Sequence, residues 1–367
     1  MRIALVHEYL NQLGGAERVL EALHELYPQA PVHTLVHDTR KVGGTFKDWH
    51  IQSSIIERLP GGKRFYKWYL LAMPAAIESF NFNGFDVVIS DASAFAKGII
   101  VPPGTLHVCY CHTPTRYLWS DAHTYPNEVQ APWLVRKIMP FVLNYLRGWD
   151  RQAADRVDVF IANSKFVAQR IHKYYRREAE VIYPPVDTDK FEISNEVGNY
   201  YVMMGRLRPY KKFDLAIQAF SALNIPLKII GTGEEEAHLK KIAKPNIEFL
   251  GYDVDRKEVL KHAIAFINPQ VEDFGIAPIE AMACGRPVIA YRAGGATETV
   301  IDGITGIFFD EQIWESLADT VVRFKPNQFD PQKIRAYAKT FDRSVFQSKI
   351  EQFVKKSYET FKQTGRI

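Results

Sequence analysis

The stretch Glu272–Ala290, EDFGIAPIEAMACGRPVIA, decides the fold. Just before it runs AIAFINPQ, residues 263–270, with the apolar, β-branched and aromatic content of a buried strand. A short polar loop with Gly275 follows, then the helix-forming run IEAMA, then a second apolar run, PVIA. Strand, loop, helix and strand in under thirty residues make a βα unit of a parallel sheet. The spacing puts Glu272 in the loop after the strand and Glu280 in the first turns of the helix. Backbone N–H groups at a helix start have no intrahelical partner and can bind an anion. One segment therefore offers amides for phosphate or sugar oxygens and two carboxylates for hydroxyls. A polyhydroxylated, phosphorylated ligand needs that combination. Two glutamates eight positions apart are also common on ordinary helices, so this reading leans on the rest of the chain.

Working outward, short apolar runs alternate with helical patterns in two series. The first holds IALVH, PVHTLV, DVVIS, HVCYCH, VDVFIANS and AEVIYP; the second holds YYVMMG, LKIIGTG, IEFLGY, AIAFINP, PVIAY and GIFF. Near-continuous apolar strands belong in parallel sheets covered on both faces. The connector YPPVDTDKF, from Tyr183 to Phe191, separates the series. The expected fold class is α/β, with two doubly wound Rossmann-like domains, 1–185 and 186–343. A last helical stretch, 344–367, has no strand after it. A chain of 367 residues is long enough for two cores. Doubly wound sheets bind ligands at the carboxyl ends of their strands, so two of them facing one another would form a binding cleft.

Composition is that of a folded protein, 47% hydrophobic and 24% charged. No run of 18 apolar residues suggests a membrane span. The start, MRIALVHEYL, is interrupted by His7 and Glu8 and reads as a first strand, not a secretory leader. Cys109, Cys111 and Cys284 give neither a disulfide framework nor metal-ligand spacing, which suits a reducing cytoplasm. Residues 1–185 hold 21 Lys+Arg against 17 Asp+Glu, and residues 186–367 hold 25 of each, so the net +4 sits in the first half. That excess is too small for a nucleic-acid partner but fits loose docking on an anionic membrane. The segment 61–80, GGKRFYKWYLLAMPAAIESF, has two readings. It is a helix with a buried stripe, or a membrane-facing segment with Lys63, Arg64 and Lys67 at headgroups and Phe65, Trp68 and Tyr69 dipping in. Two D-x-D strings, at Asp187 and Asp253, do not follow strands as a metal site requires, so no metal is expected. Gly231-Thr-Gly233 lacks a third glycine and precedes three glutamates that would repel a pyrophosphate.

Further strings stand at strand ends. Arg206 and Lys211 lie in GRLRPYKKFDLAI, directly after YYVMMG; alone they read best as a solvated basic loop. Gly14 and Gly15, in NQLGGAERVL, join the first strand to the first helix and let backbone approach a ligand. His112 lies in VCYCHTPTRYLWS, at the end of an apolar strand. Gly294-Gly295 reads first as a tight turn and second as amides near a ligand. Tyr252, after IEFLGY, is a base-pocket candidate or a surface tyrosine.

In order and spacing these strings resemble the retaining glycosyltransferases of family GT4. The segment from Glu272 to Glu280 resembles their E-x7-E motif, GRLRPYK resembles GRLxxxK, and HTPTRYLW resembles the HTPxRYxW segment of bacterial mannosyltransferases of polysaccharide assembly. The family carries a glycine where this chain has Lys212. The resemblance implies the GT-B fold, with the last helix crossing back to the first domain. It implies transfer of a hexose from a nucleotide sugar to a glycan or lipid-linked acceptor, with retention and without a metal or other cofactor. By that likeness Arg206 and Lys211 hold the diphosphate, whose developing charge a guanidinium and an ammonium stabilise. Glu272 binds sugar hydroxyls with the amides of Phe274, Gly275 and Ile276, and Glu280 binds the ribose. Gly14 and Gly15 lie against the donor, and Tyr252 lies near the base. His112 orients the sugar, and Arg116, Tyr117 and Trp119 line the acceptor side; for Tyr117 and Trp119 packing is an equal alternative. The HTPTRYLW string points to GDP-mannose, with a UDP-hexose as the alternative donor. A GT-B nucleotide-sugar epimerase and an idle sugar-nucleotide binder are the rival classes. The expected location is the cytoplasm, peripheral on the inner face of the plasma membrane.

Overall fold

The computed structural model describes residues 1–123 and 132–365. The chain forms two compact units, Met1–Tyr183 with Gln347–Ile367, and Pro184–Phe346. The first is built on seven strands: β1 (Ile3–Leu10), β2 (Val32–His37), β3 (Ile51–Ser53), β4 (Val87–Ala92), β5 (Leu106–Cys111), β6 (Val159–Ala162) and β7 (Ala179–Val181). Their order is β3-β2-β1-β4-β5-β6-β7. The second unit has β8 (Tyr201–Met204), β9 (Leu227–Ile230), β10 (Ile247–Gly251), β11 (Phe266–Asn268), β12 (Val288–Tyr291) and β13 (Gly306–Phe309), in the order β10-β9-β8-β11-β12-β13. All neighbouring strands pair in parallel. Both sheets are doubly wound. Their strand order reverses between β1 and β4 and between β8 and β11, and such switch points open a crevice at the carboxyl ends.

Each of the twelve apolar runs is a strand. The thirteenth, β3, is three residues at a sheet edge and has no apolar alternation to betray it. The central strands are legible because β4 and β5 are buried at every position and β1 at all but one. Helix Gly15–Leu26 lays Val19, Leu20, Ala22 and Leu23 inward, and Glu17 lies in the same inward stripe.

Segment 61–80 combines features of both its readings. Met73–Glu78 is a short helix, opened by Pro74, with Met73, Ala76 and Ile77 buried. The preceding 3-10 run, Tyr66–Ala72, has no buried residue, and Phe65, Trp68 and Leu71 are exposed. Tyr69 is half-buried against the core and donates to the Pro60 carbonyl at 2.7 Å.

The final helix, Arg343–Thr364, begins at the end of the second unit. From Gln347 onward it belongs to the first, where the Gln347 amide donates to the Ala22 carbonyl at 3.2 Å and to Glu25 at 3.0 Å. The second unit's two chain ends are clasped together. Val186 N–H donates to Phe341, and Arg343 N–H donates back to Val186, at 3.0 and 3.1 Å. Asp187 pairs with Arg343 at 2.5 Å.

Candidate functional site

In the second unit the site grows from the loops after β8 and β11. Arg206 is exposed directly after β8. Lys211 ends a 3-10 turn, Pro209–Lys211, and Lys212 then takes a left-handed backbone, φ 57°. The turn that glycine makes in the family is therefore kept here by a lysine. Lys211 ion-pairs with Glu272, 61 residues away, and the two side chains are only 18% and 13% exposed. The Gln270 amide donates to Glu272 at 3.0 Å and to Asn268 at 2.7 Å.

Two glycine sites hold the Glu272 loop. Gly295 N–H donates to the Glu272 carbonyl at 2.8 Å. A Cβ on Gly294 would fall 2.5 Å from that carbonyl oxygen, and one on Gly295 would fall 2.6 Å from Phe274 Cα. Gly294-Gly295 is thus the tight turn that backs residues 272–274, and no side chain fits there. Phe274 is buried edge-on to Phe341, with ring centroids 5.6 Å apart. Gly275, at φ +96°, caps helix Ile276–Ala283, whose start has no side-chain cap. Glu280 lies in the second turn of that helix, 2% exposed, with the Arg256 guanidinium 3.2 Å away. Tyr252 is 65% exposed after β10, the sheet's edge strand.

In the first unit a buried chain of titratable groups occupies the β1/β4 switch point. Register puts His7 of β1 abreast of Asp91 of β4. His7 Nδ1 lies 2.7 Å from one Asp91 oxygen, and His112 Nε2, just past β5, lies 2.5 Å from the other. Glu17 approaches His7 Nε2 at 3.7 Å. Burial alone would push His7 toward the neutral form. Hydrogen bonds and attraction from Asp91 and Glu17 outweigh that and raise it to about 10. His112 is also raised, Asp91 overcoming burial, and the Asp91 and Glu17 carboxyls are lowered by the histidines despite theirs. Adjacent Glu8 accepts from Ser93 N–H at 2.9 Å and Ser93 Oγ at 2.6 Å, and also from Ala94 N–H, fixing the loop after β4. Gly14 precedes helix Gly15–Leu26, again without a side-chain cap, and Gly15 is exposed.

The HTPTRYLW segment is held from beneath by Asp150, which is 1% exposed. Asp150 accepts from Thr115 (2.7 Å), Trp119 Nε1 (2.7 Å), Tyr175 (2.8 Å) and the buried Lys97 (2.5 Å). Trp119 also stacks on Tyr174 at 5.1 Å, and Tyr117 packs on the core. These contacts fit the packing reading of the aromatic pair, and its acceptor reading stays a proposal. Arg116 is half-buried at the start of its turn.

The structure brings together Lys211 and Glu272 in one unit, and His112 with Asp91 and His7 in the other. Sequence reading missed His7, Asp91, Glu17, Asp150 and Arg256. Glu17 was detectable as an acid in the apolar stripe of its helix, and Asp91 as an acid ending an apolar strand. Among the described residues no group of three His, Cys, Asp or Glu is arranged to hold a metal ion.

Two family models cover most of the chain: Glycosyltransferase Family 4 matches residues 13–190, and Glycosyl transferases group 1 matches residues 186–341. An uncharacterized glycosyltransferase of Methanocaldococcus jannaschii is 23% identical over 368 residues, covering 98% of each chain. The alpha-1,3/1,6-mannosyltransferase ALG2 of Candida glabrata is 25% identical, covering 82% of this chain and 78% of its own. Among solved structures, sucrose-phosphate synthase of Thermosynechococcus elongatus has a TM-score of 0.74 at 15% identity, covering 98% of this chain and all of its own. HepE of Anabaena, in complex with UDP, has a TM-score of 0.71 at 18% identity, covering 97% of this chain and all of its own. With two doubly wound sheets, the family's motifs at their strand ends and both family models in register along the sequence, the chain belongs to glycosyltransferase family 4 and has the GT-B fold.

Proposed function

We propose that this nucleotide-sugar-dependent glycosyltransferase moves mannose from GDP-mannose to a hydroxyl of a glycan or lipid-linked acceptor, with retention. The observation that carries the reading is the Lys211–Glu272 pair at the β8/β11 switch point, with Glu280 on the helix that follows. Lys211 and Arg206 take the diphosphate and stabilise the charge that grows on it as the glycosidic bond breaks. Glu272 and the amides of Phe274, Gly275 and Ile276 take sugar hydroxyls, and Glu280 takes the ribose. Tyr252 lies against the base, and Gly14 and Gly15 admit the donor closely. His112 orients the sugar, and Arg116 serves the acceptor. The leaving phosphate itself accepts the acceptor's proton, on the face it departs from, so no covalent enzyme intermediate forms.

Mannose is supported by the HTPTRYLW string and by the mannosyltransferases among the relatives. A UDP-hexose donor is the second reading, favoured by the UDP bound to HepE. Thermal shift with GDP, UDP and ADP separates them. A nucleotide at a hundred times its Kd stabilises by about 2.7 kcal/mol. GDP alone should raise the melting temperature; a shift with UDP and none with GDP refutes the mannose reading. Incubating donor without acceptor tests the class of reaction, because an epimerised donor would displace transfer altogether.

A further inference from the structure

We infer that Arg256 is a positioning residue for the ribose of the donor nucleotide: it fixes the Glu280 carboxylate, so that the ribose hydroxyls meet an acceptor already in place. The inference rests on the ribose role proposed for Glu280. Arg256 lies outside the family's motif strings and meets Glu280 across 24 positions of sequence. Its guanidinium stands 3.2 Å from the carboxylate; the glutamate side chain is 2% exposed and the arginine side chain 38%. A carboxylate so far removed from water is costly unless a cation meets it. Arg256 brings a planar fork of five donors that is always charged. A carboxylate offers about four acceptor sites, so pairing with an arginine and accepting from a diol are compatible.

Arg256 is itself held in place. It opens the short helix Arg256–Lys261, which Asp255 caps by accepting from Lys257 N–H at 3.0 Å. The far end of that helix is tied down by Arg286, just past the Glu280 helix, whose Nε donates to the Lys261 carbonyl at 2.8 Å. The short helix is thus fastened to the Glu280 segment at both ends. The ring of Phe191, 1% exposed, has its centroid 6.0 Å from the Arg256 guanidinium. Arg335 anchors that phenylalanine in turn. It donates to the Phe191 carbonyl and, at 2.6 Å, to the carbonyl of Ala283, the last residue of the Glu280 helix. A glutamate has three side-chain torsions to lose on binding a ligand. Where the fold has already fixed them, nucleotide binding is spared that cost. An ion pair between two exposed side chains would contribute little, but here the acid is buried.

The test compares the affinity of the full chain for GDP and for 2′,3′-dideoxy-GDP by calorimetry. UDP and its dideoxy form run alongside, so the result does not hang on the base. Hydrogen bonds to a charged acceptor should make the wild type prefer the ribonucleotide by about ten- to a hundredfold. Arg256→Met keeps an unbranched stem and removes the fork. It should lower that preference about tenfold and leave the dideoxy affinity within about twofold. Arg256→Lys keeps a cation for the buried acid, so it preserves the fold even where Arg256→Met does not. Without the planar fork its preference should fall between the other two. Glu280→Ala should abolish the preference, and adding Arg256→Met to it should change nothing further. The inference falls if both Arg256 variants keep the wild-type preference. It falls if they strengthen it, as removing a mask over Glu280 would, or if they weaken both nucleotides alike, as losing a merely structural pair would. If Glu280→Ala abolishes the preference and the Arg256 variants leave it intact, the ribose role stands and the inference alone is lost. If Glu280→Ala keeps the preference, the ribose role fails and takes the inference with it.

Discussion

Asp91→Asn keeps the shape of the side chain and removes the carboxylate that meets both His7 and His112. Burial opposes a charge on His7, and Asp91 with Glu17 reverses that, lifting it to about 10. A histidine raised in the folded state contributes stability that is complete below its unfolded value near 6.5. That contribution is lost as pH climbs through the folded value. Between those limits one proton gives a slope of about 1.4 kcal/mol per pH unit. The first unit should therefore lose about 3 kcal/mol between pH 7 and pH 9 through His7, and His112 acts in the same direction. His107, pushed down to about 3 by burial, and His33, lowered for the same reason, titrate below this window. In Asp91→Asn only Glu17 still raises His7, so the lift shrinks and the slope flattens. At pH 7 the variant should be weaker by about 3–5 kcal/mol, as when a buried ion pair loses one partner. Urea unfolding followed by tryptophan fluorescence suits the measurement. Trp49, Trp68, Trp119, Trp133 and Trp149 lie in the first unit and Trp314 alone in the second. Equal slopes for wild type and variant across pH 7–9 would refute the reasoning.

Lys211→Ala should lower turnover on the order of 10²–10³ while leaving the melting temperature close to that of the wild type; an undiminished rate contradicts its place at the diphosphate. Gly295→Ala puts a methyl 2.6 Å from Phe274 Cα and 2.7 Å from two carbonyl oxygens, so the backbone must move. It should destabilise by about 1–3 kcal/mol and impair donor binding, and an unchanged urea midpoint would sink the packing argument. Lys212→Gly relieves a left-handed lysine by about 1–2 kcal/mol and loosens the unfolded chain by about 0.4–1 kcal/mol. The urea midpoint should rise slightly, and a fall counts against strain at φ 57°.

Much of the architecture was legible because parallel strands buried on both faces leave unbroken apolar runs. LHVCYC and VVISDA could hardly be anything else, whereas IQS at an edge has too little burial to leave a trace. The Lys211–Glu272 meeting was expected from motif strings and not from spacing, since 61 residues separate them. The buried chain at His7 and Asp91 went unseen because it is made by register, one strand abreast of another, and a single sequence carries no register. Trp119 shows the reverse limit. A tryptophan that could face a sugar is equally able to face Tyr174, and its stacking on that ring and its bond to Asp150 are set by the fold, not by spacing in the sequence.

The clasp between Val186 and residues 341–343 makes the second unit an insertion whose ends emerge side by side, while the first is split between residue 183 and a tail starting at 347. On the ribosome the order of completion is consequently inverted. The stretch 184–346 can finish folding while its host still awaits Ile350 and Val354, which are fully buried in the final helix. Truncating the gene near its 3′ end should therefore harm the half that was translated first.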